Sequence, residues 1–354
     1  MRRYAPDRRP VSVDLSDNRN LWGTHPAALE AVRGAVSDDL SRYPHLYADD
    51  LRAAVAERYG VDPRSVFTGC GSDDVLDFVF RACAEPGGTL NHIVPTFSMV
   101  APWARINGRT PVAIPWSQAL EEPGLLLEGD PVLVYLCSPN NPTGFKAPYD
   151  WIAGIIEAVE TLGDEAPLLL LDEAYADFTD ETFIREASTS PRLLVVRTLS
   201  KSYGLAGMRV GFGVARPDVA EEMEKARGPY KVARLSEIAA TAALRDRSGW
   251  MEETVVEAER SRKRLAEALG ARGLRPLPSA TNFLFAPVED GSALAWADGL
   301  RERSVGVRPF PAAEEVGDAL RITVGPWPLM ETLLEAIDGV LASGELRGAG
   351  AATR

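Results

Sequence analysis

Lys201 follows an apolar run over 193–196 and lies in Thr198-Leu199-Ser200-Lys201-Ser202-Tyr203-Gly204-Leu205-Ala206-Gly207-Met208-Arg209. A lysine after a buried strand, among small residues and hydroxyls, is poorly placed to be a solvated surface charge. Its natural chemistry is that of an amine with a depressed pKa that forms an imine. Arg209 can meet a phosphate dianion, and Thr198 and Ser200 add hydroxyl donors. Asp172 closes a second apolar run over 168–171. A carboxylate there is costly unless a cation or strong donor meets it. The protonated pyridine nitrogen of a bound cofactor is such a partner, and the pair keeps the ring a good electron sink. Tyr175 can then reach a phenolic oxygen on the same ring.

Two further segments fit this arrangement. Asn141, in Ser138-Pro139-Asn140-Asn141-Pro142-Thr143-Gly144, follows an apolar strand and can offer its amide to the phenolic oxygen. Gly71-Ser72-Asp73 opens a helix, where free N–H groups and the helix dipole suit a phosphate. Each has a plainer reading. Asp172-Glu173 also begins a polar loop, the Pro/Gly segment is a turn signal, and Ser72 reads equally as an ordinary N-cap.

Elements able to hold these residues can be read from the pattern of apolar runs. Strands are predicted over 66–68, 90–94, 112–114, 132–137, 168–171, 193–197 and 210–215, with helices over 73–84, 98–107 and 151–161. Alternating β and α with short loops implies a mainly parallel sheet covered on both faces. Ligands of such sheets sit at the C-terminal strand ends, where all four polar segments fall. After Arg216-Pro217 long helices are expected over 218–226, 235–245 and 251–269. Two strands over 282–286 and 320–324 follow, then a helix over 329–342. The fold class is α/β, with a large domain plus a smaller α+β domain. The expected division is 1–40 (arm and part of the small domain), 41–234 (large domain) and 235–354 (small domain).

Composition narrows the partners. The net charge of −13 disfavours nucleic acid and anionic membrane, and with 45% hydrophobic residues a sizeable core is available. No apolar run is long enough to span a bilayer, and the basic first ten residues lack the apolar segment of a signal peptide. Cys70, Cys83 and Cys137 give neither a disulfide framework nor a zinc pattern, and His25, His45 and His92 read as isolated, so no metal is expected. A cytoplasmic enzyme acting on small molecules is the resulting expectation.

SPNNPTG (138–144), DEAY (172–175) and TLSKSYGLAGMRVGF (198–212) resemble the class I/II aminotransferases of pyridoxal-phosphate fold type I. GCGSDD (69–74), PTFSM (95–99), RYP (42–44) and LRITVG (320–325) extend the resemblance over roughly residues 11–342, most closely to the histidinol-phosphate aminotransferase branch. The resemblance implies pyridoxal 5'-phosphate as cofactor, with Lys201 as the Schiff-base lysine, Asp172 as pyridinium partner and Asn141 and Tyr175 on the phenolic oxygen. Gly71, Ser72, Asp73, Thr198, Ser200 and Arg209 would ring the phosphate, and Phe97 would stack on the pyridine. Tyr43 would cross to a neighbouring subunit's cofactor phosphate, which makes a homodimer. Arg321 would take the acidic end of the substrate and Arg308 a second anion.

The substrate side departs from the branch. Asn-Glu-Asn-Pro-Tyr-Gly is here Asn18-Arg19-Asn20-Leu21-Trp22-Gly23, and Arg-Tyr-Pro-Asp is Arg42-Tyr43-Pro44-His45. Arg19, Asn20 and Trp22 are therefore the expected readers of the substrate, with His45 beside them. Amino transfer between small-molecule amine and keto substrates is the leading expectation. A lyase, decarboxylase, cyclase or oxidase of specialised biosynthesis is the alternative on the same scaffold.

Overall fold

The computed structural model describes residues 9–83, 87–343 and 346. In chain order the strands are β1 (Val13–Asp14), β2 (Val66–Cys70), β3 (Thr89–Val94), β4 (Thr110–Pro115), β5 (Leu133–Cys137) and β6 (Leu168–Asp172). They continue as β7 (Leu193–Thr198), β8 (Val210–Val214), β9 (Phe283–Pro287), β10 (Val305–Gly306), β11 (Arg308–Ala313) and β12 (Gly317–Thr323). Seven of them form a central sheet in the order β2-β8-β7-β6-β5-β3-β4. Residues of β5, β7 and β8 are buried throughout, and those of β6 from Leu169 on, because helices cover both faces of the sheet.

The 210–215 run is not the further parallel strand expected of it. β8 pairs antiparallel with both β7 and β2, whereas β7, β6, β5, β3 and β4 run parallel. The reason lies in the connection. Residues 199–209 are too few for a crossover helix, so the chain turns straight back beside β7. That same short return carries Lys201. Chain order in the sheet reverses between β3 and β5, which puts a crevice at the C-terminal edge near β5, β6 and β7.

The smaller unit is built on an antiparallel sheet β11-β12-β9 and a parallel pair β1–β10, in which Val13 faces Val305. Strand β11 was not predicted, because Pro309 and Pro311 interrupt its pattern. It is an edge strand, where proline is tolerated. Helices Pro26–Arg33, Asp49–Tyr59 and Ala293–Glu302 were also not predicted.

The domain division differs from expectation as well. The helix Arg234–Arg245 buries Ala239, Ala240, Ala243 and Leu244 in the large core, as does Ala28 from the N-terminal segment. The passage to the small core occurs inside the long helix Trp250–Gly270: Met251 packs in the large core, and Ala258 and Leu265 in the small one. No helix of the described residues is long and apolar enough to cross a membrane.

Candidate active site

Asp172 emerges at the C-terminal end of β6 and is 4% exposed. Its Oδ2 accepts a hydrogen bond from the Tyr135 hydroxyl at 2.7 Å, and its Oδ1 accepts one from the Ala174 N–H at 3.0 Å. Burial outweighs these donors and pushes the carboxyl up to about 6. A ligand that brings its own cation to this carboxylate would relieve the desolvation.

Lys201 lines the same crevice. Its Nζ lies 3.4 Å from the Asp17 carbonyl oxygen and 5.6 Å from the centre of the Tyr175 ring. Burial first, and the Arg321 charge second, lower the amine to about 8. The other four lysines each sit on a carboxylate: Lys146 on Glu181, Lys225 on Glu222, Lys231 on Asp74 and Lys263 on Glu259. Lys201 differs from all of them in having a backbone carbonyl as its nearest oxygen partner.

The helix Ser72–Ala82 starts immediately after β2, so its N-terminus faces the crevice. Its N-cap is Gly71, not Ser72, and no side chain caps it. The plain N-cap reading of Ser72 is thereby corrected, and the first-turn amides are available to a ligand. Gly71 has φ 84°, and a Cβ there would stand 2.5 Å from Arg209 Nη2. Glycine is what lets the guanidinium lie across the helix start, where it pairs with Asp73 at 3.3 Å. Thr198 donates to Ser200 Oγ at 2.9 Å on the other side. Helix amides, two hydroxyls and an arginine form a donor set suited to a phosphate dianion.

Between these ends lie Tyr175, Asn141 and Phe97. The Tyr175 hydroxyl accepts from Asn18 Nδ2 at 2.9 Å, and burial holds its phenol protonated, well above the usual range. Asn141 Oδ1 accepts from Arg321 Nη1 at 2.5 Å, which leaves the Nδ2 as its donor toward the crevice. Arg321, 8% exposed, comes from β12 in the small domain and lies 5.5 Å from the centres of both the Phe283 and Phe310 rings. Together these side chains line one pocket of about 350 Å³, which also includes Ser72, Asp73, Phe97, Thr198, Ser200, Lys201, Arg209 and the exposed Arg19.

Several expected residues are elsewhere. Asn20 is a scaffold residue: its Oδ1 accepts from the Trp22 N–H, and its Nδ2 donates to the Ser202 carbonyl, both at 2.9 Å. Trp22 packs against the small-domain core rather than lining the pocket. Arg308 stands opposite Arg321 on the neighbouring strand, outside the lining. Tyr43 is 83% exposed and stacks on Tyr230 at 4.9 Å, away from the pocket of its own chain. His45 is not isolated. It lies 3.1 Å from buried Glu237 and 3.6 Å from Asp50, a group of three close enough to hold a metal ion. Arg234 already supplies a cation to both carboxylates. Conversely, Asn18 and Tyr135 belong to the site and were not singled out. Asn18 opens the altered stretch 18–23, and Tyr135 is the one hydroxyl in the buried apolar strand β5, which needs a partner.

A doubly wound sheet with an isolated lysine, a buried carboxylate and a phosphate cup at its strand ends defines a pyridoxal-phosphate enzyme of fold type I. The family model for aminotransferase class I and II matches residues 10–337, and the chain belongs to that family. It is 33% identical over 338 residues to a histidinol-phosphate aminotransferase of Citrifermentans bemidjiense, with 94% of each chain covered. It is 36% identical over 347 residues to another from Pseudomonas putida, covering 94% of this chain and 96% of that one. Among solved structures, histidinol-phosphate aminotransferase from Sinorhizobium meliloti in complex with pyridoxal-5'-phosphate superposes with a TM-score of 0.86 at 28% identity, covering 95% of this chain and 92% of that one.

Proposed function

We propose that this enzyme moves the amino group of a phosphate- or carboxylate-bearing amine to a keto acceptor, with pyridoxal phosphate held by Lys201, Asp172 and the phosphate cup. One observation carries the reading: Lys201, Asp172, Arg209 and Arg321 line a single pocket at the strand ends. The relatives' names supply the phosphorylated substrate class, and Arg19 and Arg321 bring cationic groups to the same pocket.

Bound pyridoxal phosphate would supply a carbonyl that condenses with amines and a protonated ring that takes up the electron pair left when a proton departs. The protein's part follows from its own groups. The Lys201 amine, lowered toward neutrality, takes the proton from the amine-bearing carbon and returns it as a general acid. Asp172 would hold the ring nitrogen protonated. Tyr175 and Asn141 would donate to the phenolic oxygen, while the first-turn amides of Ser72 and Asp73, with Thr198, Ser200 and Arg209, would hold the phosphate. Phe97 would lie against the ring. Arg321 anchors the acidic end of the substrate, with Arg308 a second anion contact that requires movement toward the pocket.

Phosphorylated and unphosphorylated amines carrying nitrogen-15 test the reaction. Label appearing in a keto acceptor is the expected result, whereas loss of carbon dioxide with no nitrogen transfer overturns amino transfer. On the substrate so found, Arg321→Ala should lower kcat/KM by roughly a hundredfold or more, since it removes the main anion anchor. Arg19→Glu should lower it about ten- to a hundredfold, because an anion replaces a cation at the pocket. A silent Arg19→Glu would mark that residue as outside substrate recognition.

The assembly belongs to the same proposal. Val36, Leu40, Tyr43 and Tyr230 are exposed apolar or aromatic residues near one another in sequence or by stacking, as a surface for a second copy would be. With Tyr43 reaching the neighbouring cofactor phosphate, sedimentation should find activity only in the dimer, and Tyr43→Phe should loosen cofactor retention. A fully active monomer excludes the shared site.

A further inference from the structure

We infer that Tyr135 is a positioning residue for the active-site carboxylate: its hydroxyl, donated to Asp172 Oδ2 at 2.7 Å, keeps that group ionised and fixed in one orientation. The inference rests on the reading of Asp172 as the ring-nitrogen partner.

Register brings the two together. Tyr135 on β5 faces Leu170 on β6, and Cys137 faces Asp172, so Tyr135 and Asp172 are diagonal neighbours on one face of the sheet. Apart from the Cys137 thiol beside its hydroxyl, the rest of Tyr135's surroundings is apolar. It is fully buried in a core with Leu90, Leu133, Leu170 and Leu194, its ring edge-on to Phe80 at 6.3 Å. Phenylalanine would fill that space without burying a hydroxyl, and a buried hydroxyl costs stability unless it finds an acceptor. Asp172 is that acceptor. Burial and the carboxylate beside it push the Tyr135 phenol well above its usual range, so it remains a donor.

Asp172 needs donors because most of its surroundings oppose its charge. Burial acts most strongly, and the acidic groups Asp73 on the helix after β2 and Glu173 next in the chain act in the same direction. The Cys137 thiol on β5 and the Tyr175 phenol lie close by, and Lys201, Arg209 and Arg321 line the same pocket. Within the protein, the Tyr135 hydroxyl and the Ala174 N–H are what favour the ionised form by direct hydrogen bonds. Removing the first leaves Oδ2 without its donor in a low-dielectric site and makes the carboxylate a stronger base.

The test is the dissociation constant of pyridoxal phosphate from apo-protein, followed by fluorescence between pH 5 and 7.5. It is measured for wild type, Tyr135→Phe and Asp172→Asn, with thermal melts recorded alongside. In wild type a step of weakening is expected as pH falls and Asp172 takes up a proton. Tyr135→Phe should move that step upward by about one pH unit and weaken binding at pH 7 several-fold. Lys201 titrates in all three proteins, so the difference between them is what is read. A melt lowered in Tyr135→Phe with the step unmoved would make Tyr135 a core residue only and overturn the inference. A step in Asp172→Asn of the same size and at the same pH as in wild type would instead remove Asp172 from the ring nitrogen, a separate failure. If Tyr135→Phe does not fold, 3-fluorotyrosine at position 135, a stronger donor, should move the step downward. No movement there sinks the idea equally.

Discussion

Alanine at Lys201 leaves a folded protein whose turnover is lower by roughly 10³-fold or more, because one change removes both the covalent anchor and the general base. Of the five lysines it alone is not paired with a carboxylate among the described residues, so borohydride reduction and peptide mapping should find the cofactor on Lys201. Finding it on Lys146, Lys225, Lys231 or Lys263 would refute the assignment. The lowered amine also sets a pH dependence. With a value of about 8, roughly a tenth of the amine is neutral at pH 7, against a few parts in ten thousand for an ordinary lysine. Only the neutral amine attacks a carbonyl. The rate at which apo-enzyme reloads with cofactor should therefore rise as pH increases through about 8 and level off above it. A rate still climbing tenfold per unit beyond pH 9 would show that the amine is not depressed.

Asp172→Asn should cost about two to four orders of magnitude in turnover while cofactor still binds through the phosphate cup. The substitution keeps size and hydrogen-bonding capacity but removes the anion that would hold a ring nitrogen protonated. The two properties separate because the cup is built elsewhere, on the helix Ser72–Ala82, Thr198, Ser200 and Arg209. Turnover within a few-fold of wild type would rule out the role, whatever the protein's colour.

The pocket was legible in the sequence to the extent that polar residues interrupt apolar runs. Asp172 and Lys201 stand out because each comes shortly after an unbroken apolar run, 168–171 and 193–196, and parallel sheets gather such ends in one place. The direction of β8 was hidden because burial makes a parallel and an antiparallel strand look alike. The length of the 199–209 connection held the answer. Asn20 and Trp22 were misplaced for a different reason. Departure from a motif marks change but not direction, and here Asn20 turns to the Ser202 carbonyl while its neighbour Asn18 enters the pocket with φ 55°. Left-handed backbone at an asparagine leaves no trace in a pattern of polar and apolar residues. Pro309 and Pro311 hid β11, and with it the strand that faces Arg321.

The pairing of Val13 with Val305 has a consequence for how the molecule is made. As the chain leaves the ribosome, the segment bearing Asp17, Asn18 and Arg19 emerges before the large sheet, yet its partners Val305 and Thr323 follow that sheet, Thr323 standing 305 residues after Asn18. The seven-stranded sheet has all its strands by Val214 and can collapse while synthesis continues. The nascent protein thus passes through a long interval with a nearly finished sheet and an unplaced amino-terminal segment. The pocket wall around Asn18 is complete only when Val305 and Thr323 reach back to residues 13–18, a contact of very high sequence separation and hence among the slower ones to form.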